Sequence, residues 1–258
     1  MTRLVAIHQP NFFPWLGWFD KLARADVLVL LDAVQFPKTG GTWTNRVRIL
    51  VGGHASWVTA PIVRSHHGRL AVNEIRLDDS RPWREKLLRT IQTNYGRAPC
   101  FEEVVPTLDH LIRLPTNQLA DFNEAALRAF ARRLGLEPAK MVRQSDLTAV
   151  GAATDLLVEL TKAVGGTAYL AGNGAGGYQD DAAFETAGLD VIEQRFGSPP
   201  YPQRVEPFVP GLSIVDTLMS CGWDGTADLL LSRESRAEHF PRASDKADLS
   251  RRGASHSH

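Results

Sequence analysis

A histidine and two amide side chains follow the first apolar run of the chain. Residues 4–7 (LVAI) are followed directly by His8 and Gln9, and Asn11 comes after one proline. A short apolar run that stops at polar residues is typical of a buried strand. An imidazole can take up a proton near neutral pH, and neighbouring amides can orient a polar substrate. We therefore expect His8 to be a general base, with Gln9 and Asn11 completing a catalytic group.

A second apolar run predicts a neighbouring strand whose end also carries polar side chains. Residues 27–31 (VLVLL) are followed by Asp32 and Gln35, and a helix-forming stretch, residues 17–24, separates the two runs. Continuous apolar runs that alternate with helices indicate a parallel sheet covered on both faces. Because such sheets bind ligands beyond the carboxyl ends of their strands, Asp32 is predicted to be catalytic and Gln35 to contact substrate.

Three cationic side chains after the second strand form a candidate anion site. Arg46 and Arg48 lie two residues apart in a strand-like run, residues 46–50, so their side chains are predicted on one face. Two guanidinium groups on one face, with Lys38 nearby, can bind a phosphate or a carboxylate. The alternative is a solvated strand face that binds nothing.

Aromatic side chains are concentrated in the loop and helix start after His8. Residues 12–19 (FFPWLGWF) hold five of them, including Trp15. Such a cluster either packs as core or offers a platform for a planar group such as a nucleobase.

A glycine-rich segment follows a further strand-like run, residues 167–171. Gly172, Gly174 and Gly177 match the pattern G-x-G-x-x-G and precede a predicted helix. The match occurs too late in the chain for a complete dinucleotide-binding half. We therefore expect backbone N–H groups of this segment, which ends at Tyr178, to line an anion site, or the segment to be a plain flexible loop.

Polar residues also occur in a proline-rich segment near the end of the folded chain. Residues 201–216 (YPQRVEPFVPGLSIVD) contain Gln203, a candidate binding residue, and Ser213, which is placed to cap a helix from Ile214 to Met219. The chain contains no G-x-S-x-G elbow, Walker A loop or HExxH motif, so serine-hydrolase, P-loop and zincin chemistry find no support.

Composition argues against several classes of partner. The 258 residues carry a formal net charge of zero, which does not favour binding of nucleic acid or of an anionic membrane by bulk charge. No apolar run approaches the roughly 18–20 residues of a membrane span, and the N-terminus has no signal-like apolar stretch, so we expect a cytoplasmic protein. Cys100 and Cys221 are isolated from other ligands, so no metal site is predicted.

The predicted fold is α/β, with a three-layer parallel sheet of the Rossmann-like (HUP) type. Residues 1–231 are expected to form one domain with a helical insertion at about 81–164, where apolar residues recur at helical spacing. Residues 232–258 are charged and poor in large apolar residues and are predicted to be a disordered tail. Further strands are expected at residues 57–60, 74–77 and 189–192.

Several motifs together resemble the WbqC-like protein family over residues 4 to about 222. They are HQP (8–10), PWLG (14–17), Asp32, QFPK (35–38), Trp43, NR (45–46), YLAG (169–172) and PGLSI (210–214). The resemblance implies a role in bacterial O-antigen or other polysaccharide gene clusters, or in natural-product biosynthesis. A weaker similarity, in the strand, His8 loop and helix, is to HxGH-type nucleotidylyltransferases and related ligases, although Trp18 follows Gly17 where their second histidine stands.

These observations lead to one main hypothesis and two alternatives. The main one is a transferase that moves an acyl or aminoacyl group to an amine on a sugar or small molecule. The alternatives are an ATP-dependent nucleotidylyltransferase or ligase and a non-catalytic ligand-binding module. ATP or another phosphate-bearing donor, a nucleotide sugar and an acyl or peptidyl carrier protein are the expected ligands and partners. The catalytic residues are predicted to be His8, Gln9, Asn11 and Asp32. The residues predicted to bind substrate or phosphate are Trp15, Gln35, Lys38, Trp43, Asn45, Arg46, Arg48, Gly172, Gly174, Tyr178, Gln203 and Ser213.

Overall fold

A computed structural model describes residues 2–64, 68–172 and 180–232. The strands are β1 (Leu4–His8), β2 (Val27–Leu30), β3 (Arg46–Val51), β4 (His54–Thr59), β5 (Met141–Arg143), β6 (Ala168–Ala171) and β7 (Asp190–Glu193). The helices are α1 (Leu16–Arg24), α2 (Trp83–Tyr95), α3 (Phe101–Ile112), α4 (Leu119–Arg133), α5 (Ala153–Ala163), α6 (Asp181–Thr186) and α7 (Ile214–Leu231). No helix in these ranges is both long enough and apolar enough to cross a membrane.

Five strands form a parallel sheet in the order β5-β2-β1-β6-β7. The side chains of β1 alternate between two cores. Val5 and Ile7 pack with Leu156 of α5 and Phe184 of α6. Ala6 belongs to a larger core that also contains residues of α1, α3, α4 and α7. Helical layers therefore enclose the sheet on both faces, which confirms the predicted three-layer α/β fold.

The strand order creates a switch point between β1 and β6. From β1 the chain proceeds outward through β2 to β5, and it then returns to the other side of β1 and proceeds through β6 to β7. This arrangement is that of Rossmann-type sheets, which bind ligands in the crevice where the order reverses. The crevice lies beyond His8, the last residue of β1, and Ala171, the last residue of β6.

Strands β3 and β4 form a separate antiparallel hairpin that reaches this edge. Arg46 is paired with Thr59 and Arg48 with Trp57. The backbone N–H of Ser213, the residue before α7, donates to the carbonyl oxygen of Arg48 at 2.9 Å. The hairpin is thereby fixed against the start of α7.

Three elements differ in detail from the sequence-based expectation. The largely helical segment 81–164 also contributes β5, which pairs with β2 at the edge of the sheet. Residues 74–77, predicted as a strand, form only the end of a 3₁₀ turn and isolated bridges. The last helix continues to Leu231, with a non-helical residue at Gly222 (φ 69°). The predictions for Gly174, Gly177, Tyr178 and the tail beyond Ser232 concern residues outside the described ranges.

Candidate functional site

The imidazole of His8 is held in one orientation at the end of β1. Its Nδ1 lies 3.1 Å from the carbonyl oxygen of Gln9. A carbonyl oxygen only accepts, so Nδ1 carries the proton and Nε2 is left as an acceptor. The same oxygen accepts a hydrogen bond from Nε1 of Trp18 at 3.2 Å. Gln9 thus fixes the tautomer of His8 through its backbone.

His8 is neutral in the free protein. Burial lowers its pKa to about 3, and the positive charge of Lys21 contributes in the same direction. Desolvation and a nearby cation both disfavour the imidazolium form. At neutral pH the ring is therefore an uncharged proton acceptor.

A cavity of about 330 Å³ opens in front of His8 and has both polar and aromatic walls. It is lined by His8, Asn11, Trp15, Trp43, Arg48 and Gly211. Asn11 is 6% exposed, and its Oδ1 has no hydrogen-bond partner among the described residues. A buried acceptor without a partner is costly, so a donor on a ligand would be favoured at this position.

Lys21, which the sequence-based reasoning missed, lies in the switch-point crevice. It is buried on α1, and a Cβ atom added to Gly172, just beyond β6, would lie only 3.1 Å from its Nζ. Burial lowers the pKa of the Lys21 ammonium to about 8, although the charge of Asp20 opposes this shift. A lysine in a short helix is usually solvent-facing, so the local sequence gave no signal for this burial.

Arg46 and Arg48 lie on one face of β3, as their spacing predicts. The Arg46 guanidinium lies over the ring of Trp57, 4.2 Å from the ring centroid. Gly41 permits this placement because a Cβ there would lie 2.7 Å from Cδ of Arg46. Lys38, by contrast, is in an exposed loop, and its carbonyl oxygen accepts a hydrogen bond from Nη1 of Arg64 at 2.9 Å.

Trp15 forms another wall of the cavity by folding back over the start of α1. A Cβ atom added to Gly17 would lie 2.2 Å from Cζ2 of the Trp15 ring. The ring also makes an edge contact with Phe196, with centroids 5.5 Å apart. The glycine is therefore required by the position of the indole.

Several predicted site residues have well-defined structural contacts. Oε1 of Gln9 accepts from Oγ1 of Thr44 at 3.1 Å. Asn45 is 1% exposed, and its Nδ2 donates to the carbonyl oxygen of Ala60 at 3.1 Å. Oγ of Ser213 donates to the carbonyl oxygen of Phe13 at 2.6 Å and accepts from the first turn of α7. These groups hold the loops around the cavity in place.

Asp32 and Gln35 lie at the end of β2, away from the cavity lining. Asp32 is 1% exposed, and it accepts from the backbone N–H of Ser145 at 3.0 Å and from Oγ of Ser145 at 2.7 Å. Gln35 is exposed and forms an isolated bridge with Ala71. We assign Asp32 a structural role because both of its oxygens bind the loop after β5.

Gln203 belongs to a buried network elsewhere. Its Nε2 donates to Tyr201 Oη at 3.0 Å and to Asp216 Oδ2 at 3.2 Å, and Tyr95 Oη donates to the other oxygen of Asp216 at 2.8 Å. Asp216 also borders a larger cavity, of about 520 Å³. The carboxyl oxygens of Asp216 are already hydrogen-bonded, so this network is best explained as structural.

The cavity in front of His8 therefore combines a neutral base, the guanidinium group of Arg48 and aromatic walls. A guanidinium group on a cavity wall can bind an anionic group such as a carboxylate or a phosphate. No group of three or more metal-ligating side chains occurs within the described ranges.

Comparison with known proteins gives one family and one relative. The model of the WbqC-like protein family matches residues 9–228. The uncharacterized protein Rv1507c of Mycobacterium tuberculosis is 29% identical over 223 residues, which cover 85% of this chain and 94% of the relative. No solved structure is significantly similar to the chain. Since this family model matches residues 9–228, which are most of the 258 residues, the chain belongs to the WbqC-like protein family.

Proposed function

We propose that the protein is a transferase that moves an acyl or aminoacyl group to an amine on a sugar or another small molecule. The observation that carries this proposal is the state of His8. Its ring is neutral, Nδ1 is fixed by Gln9, and the ring borders a cavity at the switch point. An oriented neutral imidazole is suited to accept a proton from an attacking nucleophile.

In the proposed reaction the amine nitrogen attacks the acyl carbon of the donor. Nε2 of His8 accepts the proton that the nitrogen loses as the new C–N bond forms. The imidazolium then returns this proton to the departing oxygen or sulfur as the bond to the leaving group breaks. Asn11 Oδ1, which lacks a partner among the described residues, would accept from an N–H or O–H of the substrate.

A bound anion would make His8 a stronger base. In the free protein, burial and the charge of Lys21 depress its pKa to about 3. A phosphate group bound on Arg48 beside His8 would offset the positive field that Lys21 exerts at the imidazole. The pKa of His8 would then rise above its value in the free protein, because the contribution of Lys21 to its depression would be offset while that of burial would remain. Binding of the donor and activation of the base would thereby be coupled.

A second function is ATP-dependent nucleotidyl transfer or ligation. The strand order, with a histidine at the end of the first strand, favours it because Rossmann-type sheets bind nucleotides at this place. The position expected for a second histidine is occupied by Trp18, which is 1% exposed and bonded to Gln9. An indole cannot replace an imidazole as a proton carrier or a phosphate ligand.

The decisive experiment compares the wild-type protein with His8→Gln and His54→Gln. His54 lies on the exposed strand β4 and serves as the matched control. The proteins are incubated with acyl thioesters, acyl phosphates and amino-sugar nucleotides, and the mass of the acceptor is followed. We expect acyl transfer by the wild type and by His54→Gln, and a loss of about 10²- to 10⁴-fold in turnover for His8→Gln.

Other outcomes point to the remaining functions. Pyrophosphate release from ATP or CTP would establish the second function in place of the first. Binding of the same compounds without turnover of any of them would indicate a ligand-binding module. Normal turnover by folded His8→Gln would remove His8 from the mechanism.

A further inference from the structure

Two tryptophans of the hairpin region are exposed beside the cavity. Trp43 and Trp57 are each 44% exposed, and their ring centroids lie 4.9 Å apart. Trp43 also lines the cavity in front of His8. Isolated exposed aromatic residues are common, but a pair at the rim of a cavity is a typical feature of a binding surface.

Two guanidinium groups flank these rings without acidic partners. Nε of Arg46 and Nε of Arg48 are both buried, and neither has a hydrogen-bond partner among the described residues. Neither side chain forms an ion pair with a described carboxylate, whereas Arg84, Arg128 and Arg143 each do. The wall therefore presents unneutralised positive charge next to an aromatic face.

We propose that this wall, formed by Trp43, Trp57, Arg46 and Arg48, binds a nucleoside phosphate, with the base stacked on Trp43 and a phosphate on Arg48. The inference rests on the proposed function, since it names the part of the donor or acceptor molecule that the protein binds. A flat π-face for a base and a guanidinium for a phosphate are the two elements that nucleotides require.

The positions of the four side chains divide their roles. Trp43 and Arg48 border the cavity and are placed to touch the ligand. Arg46 covers one face of Trp57 and Trp57 supports Trp43, so Arg46 and Trp57 are positioning residues. The base occupies the open rim and the phosphate lies inside, which directs the group attached to the phosphate toward His8.

A simple sugar or an acyl chain fits this wall less well. Either could lie on an indole ring, but neither carries a negative charge that would pair with the two guanidinium groups. An inorganic phosphate would use the charge but not the rings. A nucleoside phosphate uses both, and its affinity should therefore exceed that of either of its parts.

The test is equilibrium binding of UDP and ADP by calorimetry on the full-length protein, with pyrophosphate and the matching nucleoside, uridine or adenosine, as the separate parts. We expect one of the two nucleotides to bind at least tenfold more tightly than both parts. Trp43→Leu should weaken that nucleotide by about 10- to 100-fold, the range expected for one stacked base, and leave pyrophosphate unaffected. Arg48→Gln should weaken nucleotide and pyrophosphate alike.

Two controls separate this inference from the proposed function. Lys86→Gln, a change of an exposed cation on α2, should bind nucleotide like the wild type. His8→Gln should also retain nucleotide binding, even if it abolishes turnover. Equal affinities of nucleotide and pyrophosphate, or unchanged nucleotide binding by Trp43→Leu with an unaltered melting temperature, would overturn the inference whatever the reaction proves to be.

Discussion

The indole ring of Trp15 occupies the space next to the Cα atom of Gly17, where any other residue would place its side chain. The added Cβ atom would lie 2.2 and 2.3 Å from two ring carbons, Cζ2 and Cη2. Trp15 lines the cavity in front of His8, and Gly17 leaves the space that its ring needs. The glycine at position 17 therefore determines the position of one cavity wall without lining the cavity itself.

Gly17→Ala is therefore expected to destabilise the protein, although alanine is the better helix former. The helical preference for alanine contributes at most about 1 kcal/mol, whereas displacement of a packed indole costs about 1–3 kcal/mol. Chemical denaturation should show a net loss for Gly17→Ala. The double variant Trp15→Ala/Gly17→Ala should lose no further stability relative to Trp15→Ala, since the clash is then absent. If the losses in free energy of unfolding of the two single variants add up in the double variant, the contact between Trp15 and Gly17 does not determine the effect of either substitution.

The neutral state of the half-buried His8 predicts a specific loss of stability in acid. An ordinary histidine has a pKa of 6.5, and that of folded His8 is about 3. Between these values the unfolded chain binds a proton that the folded chain does not, so the free energy of unfolding falls as the pH falls. Thermal unfolding between about pH 7 and pH 4 should show a smaller decrease for His8→Gln than for the wild type. His54→Gln should follow the wild type, and parallel curves for all three would contradict the burial of a neutral ring.

Asp32 is expected to stabilise the fold instead of taking part in the reaction. Its carboxylate accepts both the backbone and the side-chain hydrogen bonds of Ser145, and it joins the loop after β2 to the loop after β5. Asp32→Asn should lower the free energy of unfolding by about 1–3 kcal/mol and Ser145→Ala by about 1 kcal/mol. A stable Asp32→Asn variant that has lost turnover would restore Asp32 to the catalytic group.

Lys21 should show a conflict between stability and ligand binding. Its pKa falls from 10.5 to about 8, and each pKa unit corresponds to about 1.4 kcal/mol, so burying the charged ammonium costs up to about 3 kcal/mol. Lys21→Met should accordingly raise the free energy of unfolding at neutral pH and weaken binding of pyrophosphate. The gain should be full below about pH 8 and disappear above about pH 10.5, where both states are neutral. A less stable variant with unchanged anion affinity would show that Lys21 is only structural.

The sequence predicted the central strands well because each is a continuous apolar run bounded by polar residues. It failed for β5, since the three residues Met141–Arg143 include an arginine and are too few for any periodicity. Residues 74–77 have the alternation of a strand, with Ile75 and Leu77 buried, yet their neighbours are loops and give only isolated bridges. Whether a segment pairs as a strand depends on the backbone segments that lie next to it in the fold. A local sequence pattern holds no information about those neighbours.

The sequence predicted those residues of the candidate site that lie at or just beyond the end of a strand. His8 borders the cavity from the end of β1, Asn11 does so from the loop that follows, and Arg48 reaches it from the hairpin. The burial of Lys21 was not predicted because its surroundings include Gly172, a residue far away in the chain. The structural contacts of Ser213 with Phe13 and of Asp32 with Ser145 were equally hidden, because both partners of each pair are ordinary loop residues.

The hydrogen bond from Ser213 to the carbonyl oxygen of Phe13 joins residues 200 positions apart. Asn123 likewise donates to the carbonyl oxygens of Pro10 and Thr44, at 2.7 Å each. During synthesis, the loop that carries His8 and Asn11 leaves the ribosome first, but the side chains that hold it in shape leave much later. The loop is thus made well before its hydrogen-bond partners, so a nascent chain that stops before α7 contains His8 without a finished site.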